Sequence, residues 1–402
     1  MPRRDCKRAQ GGELNLEFPE VLINSFRDLV HEKRDSVVVS KSPGRIEILG
    51  NHTDYNGGLV LTSTIDQFVW SLGIPSPETI LHSIDYNETT KFNLDDLAVP
   101  TEIHWSDYAK GVFWAFHRRH HAVQGITGVV HGNLPQGSGL SSSAALEVSL
   151  VNLISHLYKL NILPKAKAML AYEAERLFCG VSCGIMDQFA TQLGKPNSLL
   201  GINCGNMLTQ DVSIPENISF VVVNSMVKRS AGVILNKRRA ECLEALSTLQ
   251  ESNWDIHSLS AVSTEDLLSV AEILNDNLMK RVTHVVKENQ RVRDGIAAIK
   301  DNNPQSLGKI MIESHNSSRD LFEVSHPNLE ILMTIATQQK DVIGCRLTGA
   351  GLGGNLLLLA KREMIENVVS EITNNYEQET GLEPETAICA IPGGVVVEDV
   401  SL

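Results

Sequence analysis

Residues 20–32, EVLINSFRDLVHE, place apolar side chains at helical spacing and predict a helix. The next stretch, DSVVVSKSPGRIEILG, changes period: two β-branched runs broken by Ser-Pro-Gly predict strand, loop and strand. Residues 59–73, LVLTSTIDQFVWSLG, extend the strand content. A helix is expected from near Asp107. ITGVVHGNLPQGSGL then reads as a strand running into a glycine-rich loop, and SSSAALEVSLVNLISHLYKL as a helix whose serines can cap its start. Residues 164–178 predict a further helix. Near residue 205 the character changes: ISFVVVNS reads as strand, and long amphipathic helices follow over about 231–250 and 264–300. VIGCRLTGAGLGGNLLLLA gives two strands around a glycine loop, and ETAICAIPGGVVVEDV a strand and turn. There is no fixed-period repeat and no low-complexity linker. The pattern is that of an α+β protein with two domains, 1–205 and 206–402.

Composition narrows the class. A length of 402 residues with 42 % apolar and 21 % charged side chains suits a folded chain with a sizeable core. A net charge of −13 disfavours nucleic-acid and acidic-membrane partners, because phosphate-rich surfaces repel it. A nucleotide can still bind through a local nest of backbone N–H groups and a metal ion. The seven cysteines form no CxxC pair, which fits reduced thiols in a cytoplasmic protein better than a disulfide framework or a zinc ribbon. The head, MPRRDCKRAQ, lacks the apolar run of a secretory signal, and its Arg3, Arg4, Lys7 and Arg8 read as a disordered tail. The greasiest run, Leu356 to Ala360, is far too short to span a bilayer.

The chemistry concentrates in four stretches. GNLPQGSGLSSSAA, residues 132–145, carries Gly132, Gly137 and Gly139, which let backbone turn tightly against an anion. The helix behind it adds unpaired N–H donors and a partial positive charge. Ser141, Ser142 and Ser143 offer hydroxyls to phosphate and Mg²⁺. No GxxxxGK[ST] occurs, so this is not a Walker A loop; the bland alternative is a Gly/Ser turn that merely caps a helix. The other three stretches are SPGRIEILGNHTDYNGG, CGIMDQFA at 183–190 and RLTGAGLGG at 346–354.

Taken together and in this order, these stretches resemble the GHMP kinases and, within them, the galactokinase branch, over about residues 36–395. The resemblance implies a two-domain GHMP kinase fold of mixed sheets and packed helices. It implies a single in-line transfer of the γ-phosphoryl group of MgATP to the anomeric hydroxyl of a galacto-configured sugar, without a covalent intermediate. Asp187 matches the catalytic Asp, which takes the O1 proton or orients that hydroxyl. Arg45 matches the active-site Arg, which stabilises charge on the moving phosphoryl group. Gly137, Ser138, Gly139, Leu140, Ser141, Ser142 and Ser143 match the ATP cradle, and Trp105 and Tyr108 the aromatic pair near the adenine. Those two aromatics fit ordinary helix packing equally well. Ser143 and Glu175 match the Mg²⁺ ligands, a hard oxygen set. Glu173 competes with Glu175, but two positions apart on a helix only one can point at the metal. Asn51, His52, Asp54 and Gly184 fall around the sugar, with Asp54 holding its C3 and C4 hydroxyls. The implied partners are a sugar and MgATP, with no nucleic acid and no membrane.

The sequence departs from the branch at three positions: Asn51 replaces a Glu, Leu235 a Tyr that touches the sugar, and Asn355 a Cys. A Glu would repel a carboxylate at C6, whereas an Asn is uncharged and offers both a donor and an acceptor. Asp54 keeps galactose as the first expectation, and the loss of the Glu makes galacturonate or another C6-variant sugar the alternative. A non-catalytic sugar sensor is disfavoured by the intact GLSSSAA with Arg45, Glu175 and Asp187. A different GHMP acceptor is disfavoured by HTDYNGG and GIMDQ.

Overall fold

In a computed structural model of the chain, the described residues are 6–8, 17–30, 35–134, 139–227 and 232–402. The strands are β1 (Cys6–Arg8), β2 (Glu17–Pro19), β3 (Ser36–Leu49), β4 (Leu59–Ser76), β5 (Thr79–Ser83), β6 (Glu88–Phe92), β7 (Gly125–Gly132), β8 (Ser198–Asn203), β9 (Leu208–Ser213), β10 (Ile218–Asn224), β11 (Val342–Thr348), β12 (Asn355–Lys361), β13 (Glu385–Cys389) and β14 (Val396–Ser401). The helices are α1 (Glu20–Leu29), α2 (Trp105–Arg118), α3 (Ser142–Leu157), α4 (Pro164–Glu173), α5 (Met186–Leu193), α6 (Gly232–Glu251), α7 (Leu267–Ala271), α8 (Asp276–Lys300), α9 (Pro304–Asp320), α10 (Pro327–Gln338) and α11 (Ile365–Thr380).

Two sheets organise the molecule. The larger runs β14-β3-β4-β7-β5-β6, with the β8–β9 hairpin joined to the start of β4. The smaller runs β11-β12-β10-β13 and is antiparallel throughout. A boundary at residue 205 therefore falls in the turn of the β8–β9 hairpin, both strands of which belong to the larger sheet. β14 returns to that sheet as well. The chain passes from the larger to the smaller sheet a few residues later, between β9 and β10. An apolar cluster joins the halves: Ile46 and Ile48 of β3 pack in one core with Phe220 and Val222 of β10 and Leu357 and Leu359 of β12.

Several local expectations change. Ser-Pro-Gly does not interrupt the first strand pair. β3 is continuous, and its register against β4 slips at Pro43/Gly44 and again at Glu47/Leu49. A β-bulge absorbs the proline that a regular ladder would exclude. Gly44 is required there, because a Cβ would lie 2.8 Å from the Leu140 carbonyl oxygen of the phosphate loop. The helix expected over 264–300 is two helices. Asn275 is extended, and its side chain accepts the Leu278 N–H, so it caps α8 afresh. The helix expected over 164–178 is α4 followed by a π turn, Ala174–Phe178. Of the basic head, Arg3 and Arg4 lie outside the described residues. Lys7 and Arg8 stand in β1, paired with β2, so this part is not a loose tail. Among the described residues no helix is long and apolar enough to cross a membrane.

Candidate active site

The catalytic candidates meet where β3, the phosphate loop and α5 converge. Arg45 leaves β3 beside the bulge, and Asp187 lies in the first turn of α5, where N-terminal N–H groups favour a carboxylate. The guanidinium grips the carboxylate with two parallel bonds, Nε to Oδ1 and Nη2 to Oδ2, each 2.7 Å. Its Nη1 donates to the Gly139 carbonyl at 2.7 Å, and its backbone N–H to that of Leu140 at 3.1 Å. Burial opposes the Arg45 charge, but Asp187 outweighs it and raises the Arg45 pKa. Ser141, held in the left-handed region at φ 63°, donates its hydroxyl to Asp187. One arginine thus ties the phosphate loop to Asp187. Gly137 and Ser138 lie outside the described residues. Gly139 has φ 82° and Ser142 opens α3.

The competition between the two glutamates is resolved by direction. Glu173 pairs with Arg119. Glu175, on the π turn, accepts from the Ser143 hydroxyl at 2.9 Å. Burial raises the Glu175 pKa, and the Asp187 charge adds to the rise. A desolvated carboxylate and a hydroxyl, both hard oxygen donors, fit a Mg²⁺ ion whose remaining ligands are waters and phosphate oxygens. Gln188 bridges Glu175 and the fully buried Glu147, whose pKa is pushed well up, by burial first and Glu175 second.

The sugar-side residues line a cavity of about 130 Å³ that also reaches Arg45 and Asp187. Asn51, His52, Asp54, Gly184 and Leu235 all face it. Asp54 accepts the Gly184 N–H at 3.1 Å; its pKa is raised by burial and then by Asp187. His52 has φ 60° and stacks on Phe322 with ring centroids 4.7 Å apart. Its ring nitrogens meet the Tyr55 hydroxyl at 3.0 Å and the Ala350 carbonyl at 3.2 Å. Burial, with His284 and Arg239 nearby, drops its pKa to about 3, so the ring is neutral: Nε2–H donates to Ala350 and Nδ1 accepts from Tyr55. Asn51 is 1 % exposed. Its amide nitrogen donates to the Gly349 carbonyl at 2.9 Å and to Glu47 at 3.3 Å, and its oxygen accepts from Ser318 at 3.0 Å. The glycine turn after β11 thus seats directly on the sugar loop. Asn355 opens β12 and is buried between β10 and β11.

Trp105 and Tyr108 share a second cavity, of about 480 Å³, with Ser142 and Ser143. Trp105 stacks on Tyr86 at 6.1 Å and an interplanar angle of 11°. Both aromatics therefore stand on the phosphate-loop side of Asp187, away from the sugar-side residues.

Four lining or supporting residues were not singled out in the sequence: Glu47, Glu147, Gln188 and Arg239. Glu47 carried a usable signal, since it lies two residues after Arg45 on one face of a strand. Gln188 follows Asp187 directly. Glu147 and Arg239 reach the site only through tertiary packing.

Comparison with known proteins shows the family. Family models match three stretches: galactokinase galactose-binding signature over residues 24–73, GHMP kinases N terminal domain over 107–195, and GHMP kinases C terminal over 296–378. A galactokinase from Roseiflexus sp. (strain RS-1) is 35 % identical over 361 residues, 89 % of this chain and 92 % of that protein. A crystal structure of Lactococcus lactis galactokinase complexed with galactose superposes with a TM-score of 0.89 at 29 % identity, covering 93 % of this chain and 98 % of that one. Mevalonate kinase from Methanococcus jannaschii, at 18 % identity and a TM-score of 0.61, shares the fold alone.

Proposed function

Since the chain belongs to the galactokinase family of the GHMP kinases, we propose that it transfers the γ-phosphoryl group of ATP to the anomeric O1 of α-D-galactose. The observation that carries this reading is the placement of Asp187, which lines the sugar-side cavity while held by Arg45 of β3 and by Ser141 of the phosphate loop. A hydroxyl in that cavity meets a carboxylate whose direction is already fixed. Asp187 orients O1 and receives its proton as the bond to phosphorus forms. Arg45 keeps further N–H groups for the oxygens of the moving phosphoryl group, and being fixed it needs no reorganisation during transfer. Asp54, set by the Gly184 N–H, accepts from the sugar hydroxyls away from O1. Trp105 and Tyr108 flank the base, and Ser142 and Ser143 of the same cavity the phosphates, with Ser141 beside them at the head of α3. Ser143 and Glu175 would hold Mg²⁺, which supplies positive charge to the phosphate oxygens when bound. A cytoplasmic setting suits the free thiols of Cys179, Cys183, Cys204, Cys242, Cys345 and Cys389.

One observation favours a second reading, an acidic sugar. Arg239 lines the sugar-side cavity, its guanidinium 4.8 Å from the Tyr55 ring centroid and its Nε without a hydrogen-bond partner. ATP-dependent phosphorylation of D-galactose, D-galacturonate, L-arabinose, N-acetylgalactosamine and D-glucose separates the readings. Galactose 1-phosphate as the favoured product, identified by phosphorus NMR, is the expected result. Preferred turnover of galacturonate replaces it with the second reading, and binding without turnover of any sugar removes the kinase function.

A further inference from the structure

The family-typical acid is missing at position 51, yet the sugar-side cavity is not missing its carboxylate. Glu47 lines the same cavity, 2 % exposed, and meets Asn51 across 3.3 Å. The bulge after Glu47 and the left-handed Gly50, at φ 100°, fold the chain back so that residues four apart touch. Asn51 itself has little to give a ligand. Its two amide hydrogens go to Gly349 and Glu47, and its oxygen already accepts from Ser318. Glu47 has the opposite balance. A carboxylate offers about four acceptor sites. Among the described residues its side chain has two long hydrogen-bond contacts, Asn51 at 3.3 Å and Arg346 Nη1 at 3.4 Å.

The position of Glu47 selects what it would meet. It follows Arg45 by two residues on the same face of β3, one strand repeat of about 6.6 Å along from the group that holds Asp187. That spacing is within reach of a hexopyranose, so a sugar with O1 at Asp187 and its C3 and C4 hydroxyls at Asp54 has its C5 substituent left for Glu47. We propose that Glu47, in place of residue 51, is the acidic specificity residue of the sugar pocket, accepting from the C6 hydroxyl and excluding a C6 carboxylate. This rests on the galactose 1-kinase reading above. Arg239 does not offset this charge: it stands at the Tyr55 wall, whereas the arginines acting on Glu47 are Arg346 and Arg45.

The test is steady-state kinetics of the full chain with MgATP and D-galactose, 6-deoxy-D-galactose or D-galacturonate. The wild-type chain is expected to prefer D-galactose to both. Glu47→Gln keeps the shape and removes the charge. It should raise KM for D-galactose about 10- to 100-fold, the weight of one charged hydrogen bond, with kcat and the KM for ATP little changed. KM for 6-deoxy-D-galactose, which lacks the hydroxyl, should stay where it was, and discrimination against D-galacturonate should narrow. The exchange variant Glu47→Asn with Asn51→Glu returns a carboxylate to the same end of the cavity and should keep the preference for galactose over its 6-deoxy analogue. Equal rises in KM for both neutral sugars, or an unchanged KM for galactose, overturn the assignment, as does an exchange variant that loses the preference. If the wild-type chain uses galacturonate as well as galactose, the inference fails and the kinase reading stands. If it uses neither, the kinase reading fails first and takes the inference with it.

Discussion

Asp187 is held from two sides, taking two bonds from Arg45 and one from Ser141. Asp187→Ala should lower kcat about 10²- to 10⁴-fold, the usual weight of a positioned acid or base, while ATP binding measured by calorimetry changes little. Parallel loss of turnover and ATP affinity would assign Asp187 a structural role instead. Gly184 makes a second residue-level prediction. A Cβ there would lie 2.2 Å from Asp54 Oδ2, so Gly184→Ala must displace that carboxylate. KM for the sugar should rise about tenfold or more, as it should for Asp54→Ala, since each leaves sugar hydroxyls without a charged acceptor. An unchanged sugar KM in both would remove Asp54 from recognition. Asp187, Arg45 and Ser143 were legible in the sequence because each sits in a motif of fixed local spacing. The resemblance already pointed to Glu175 over Glu173; the structure adds a physical reason, since Arg119, fifty-odd positions away in sequence, pairs with Glu173.

The helix α9 shows how an element far from the chemistry sets it. α9 lies against β11 at a pair of glycines. A Cβ on Gly308 would come within 2.1 Å of the Ile343 carbonyl oxygen, and one on Gly344 within 2.3 Å of the Gly308 Cα. From that close approach α9 projects Ser318 to Asn51, and Ser314 to Glu288. Gly308→Ala should destabilise the chain by about 1–3 kcal/mol through overpacking, read from urea midpoints. It should also raise KM for the sugar, because Ser318 moves off Asn51; a stability loss with wild-type kinetics would show that α9 does not set the loop. Asn275→Ala, at the α8 cap, should cost about 1 kcal/mol without touching the sugar site. The helices were readable from periodicity, but the break at Asn275 was not, because α7 and α8 continue a similar amphipathic pattern. Both glycines were visible as letters, yet their meaning depends on each facing the other.

Across the whole molecule, buried polar groups staple the sugar loop to the second half. His284 of α8 meets the Asn51 carbonyl at 2.9 Å and Ser317 at 2.8 Å, and Glu288 accepts the Gly50 N–H at 3.1 Å. Burial lowers the His284 pKa to about 4, against 6.5 for an ordinary histidine. The unfolded chain therefore binds a proton below pH 6.5 that the folded chain refuses until about pH 4, so this residue's contribution falls as pH drops through that window. At about 1.4 kcal/mol per pKa unit the loss is on the order of 3 kcal/mol. Glu47 runs the other way: burial raises it to about 7, so it disfavours the folded state as pH rises from about 4.5. The histidine is isolated by comparing wild type with His284→Gln in urea. The gap between them should be widest near pH 7 and close by a few kcal/mol toward pH 4; a constant gap would mean that His284 carries its proton in both states. The two-sheet plan was legible in outline, but the partnership of β3 with β14 was not, because no local pattern links Ser36 to Ser401. That partnership has a consequence for how the protein is made. A ribosome delivers β3 early and β14 after every other described strand. Through most of translation the first six residues of the strand bearing Arg45 and Glu47 have an open edge, the kind that recruits foreign strands. Nascent chains stalled before residue 396 are the ones that should need a chaperone, and a late pause in synthesis should be more hazardous to this enzyme than an early one.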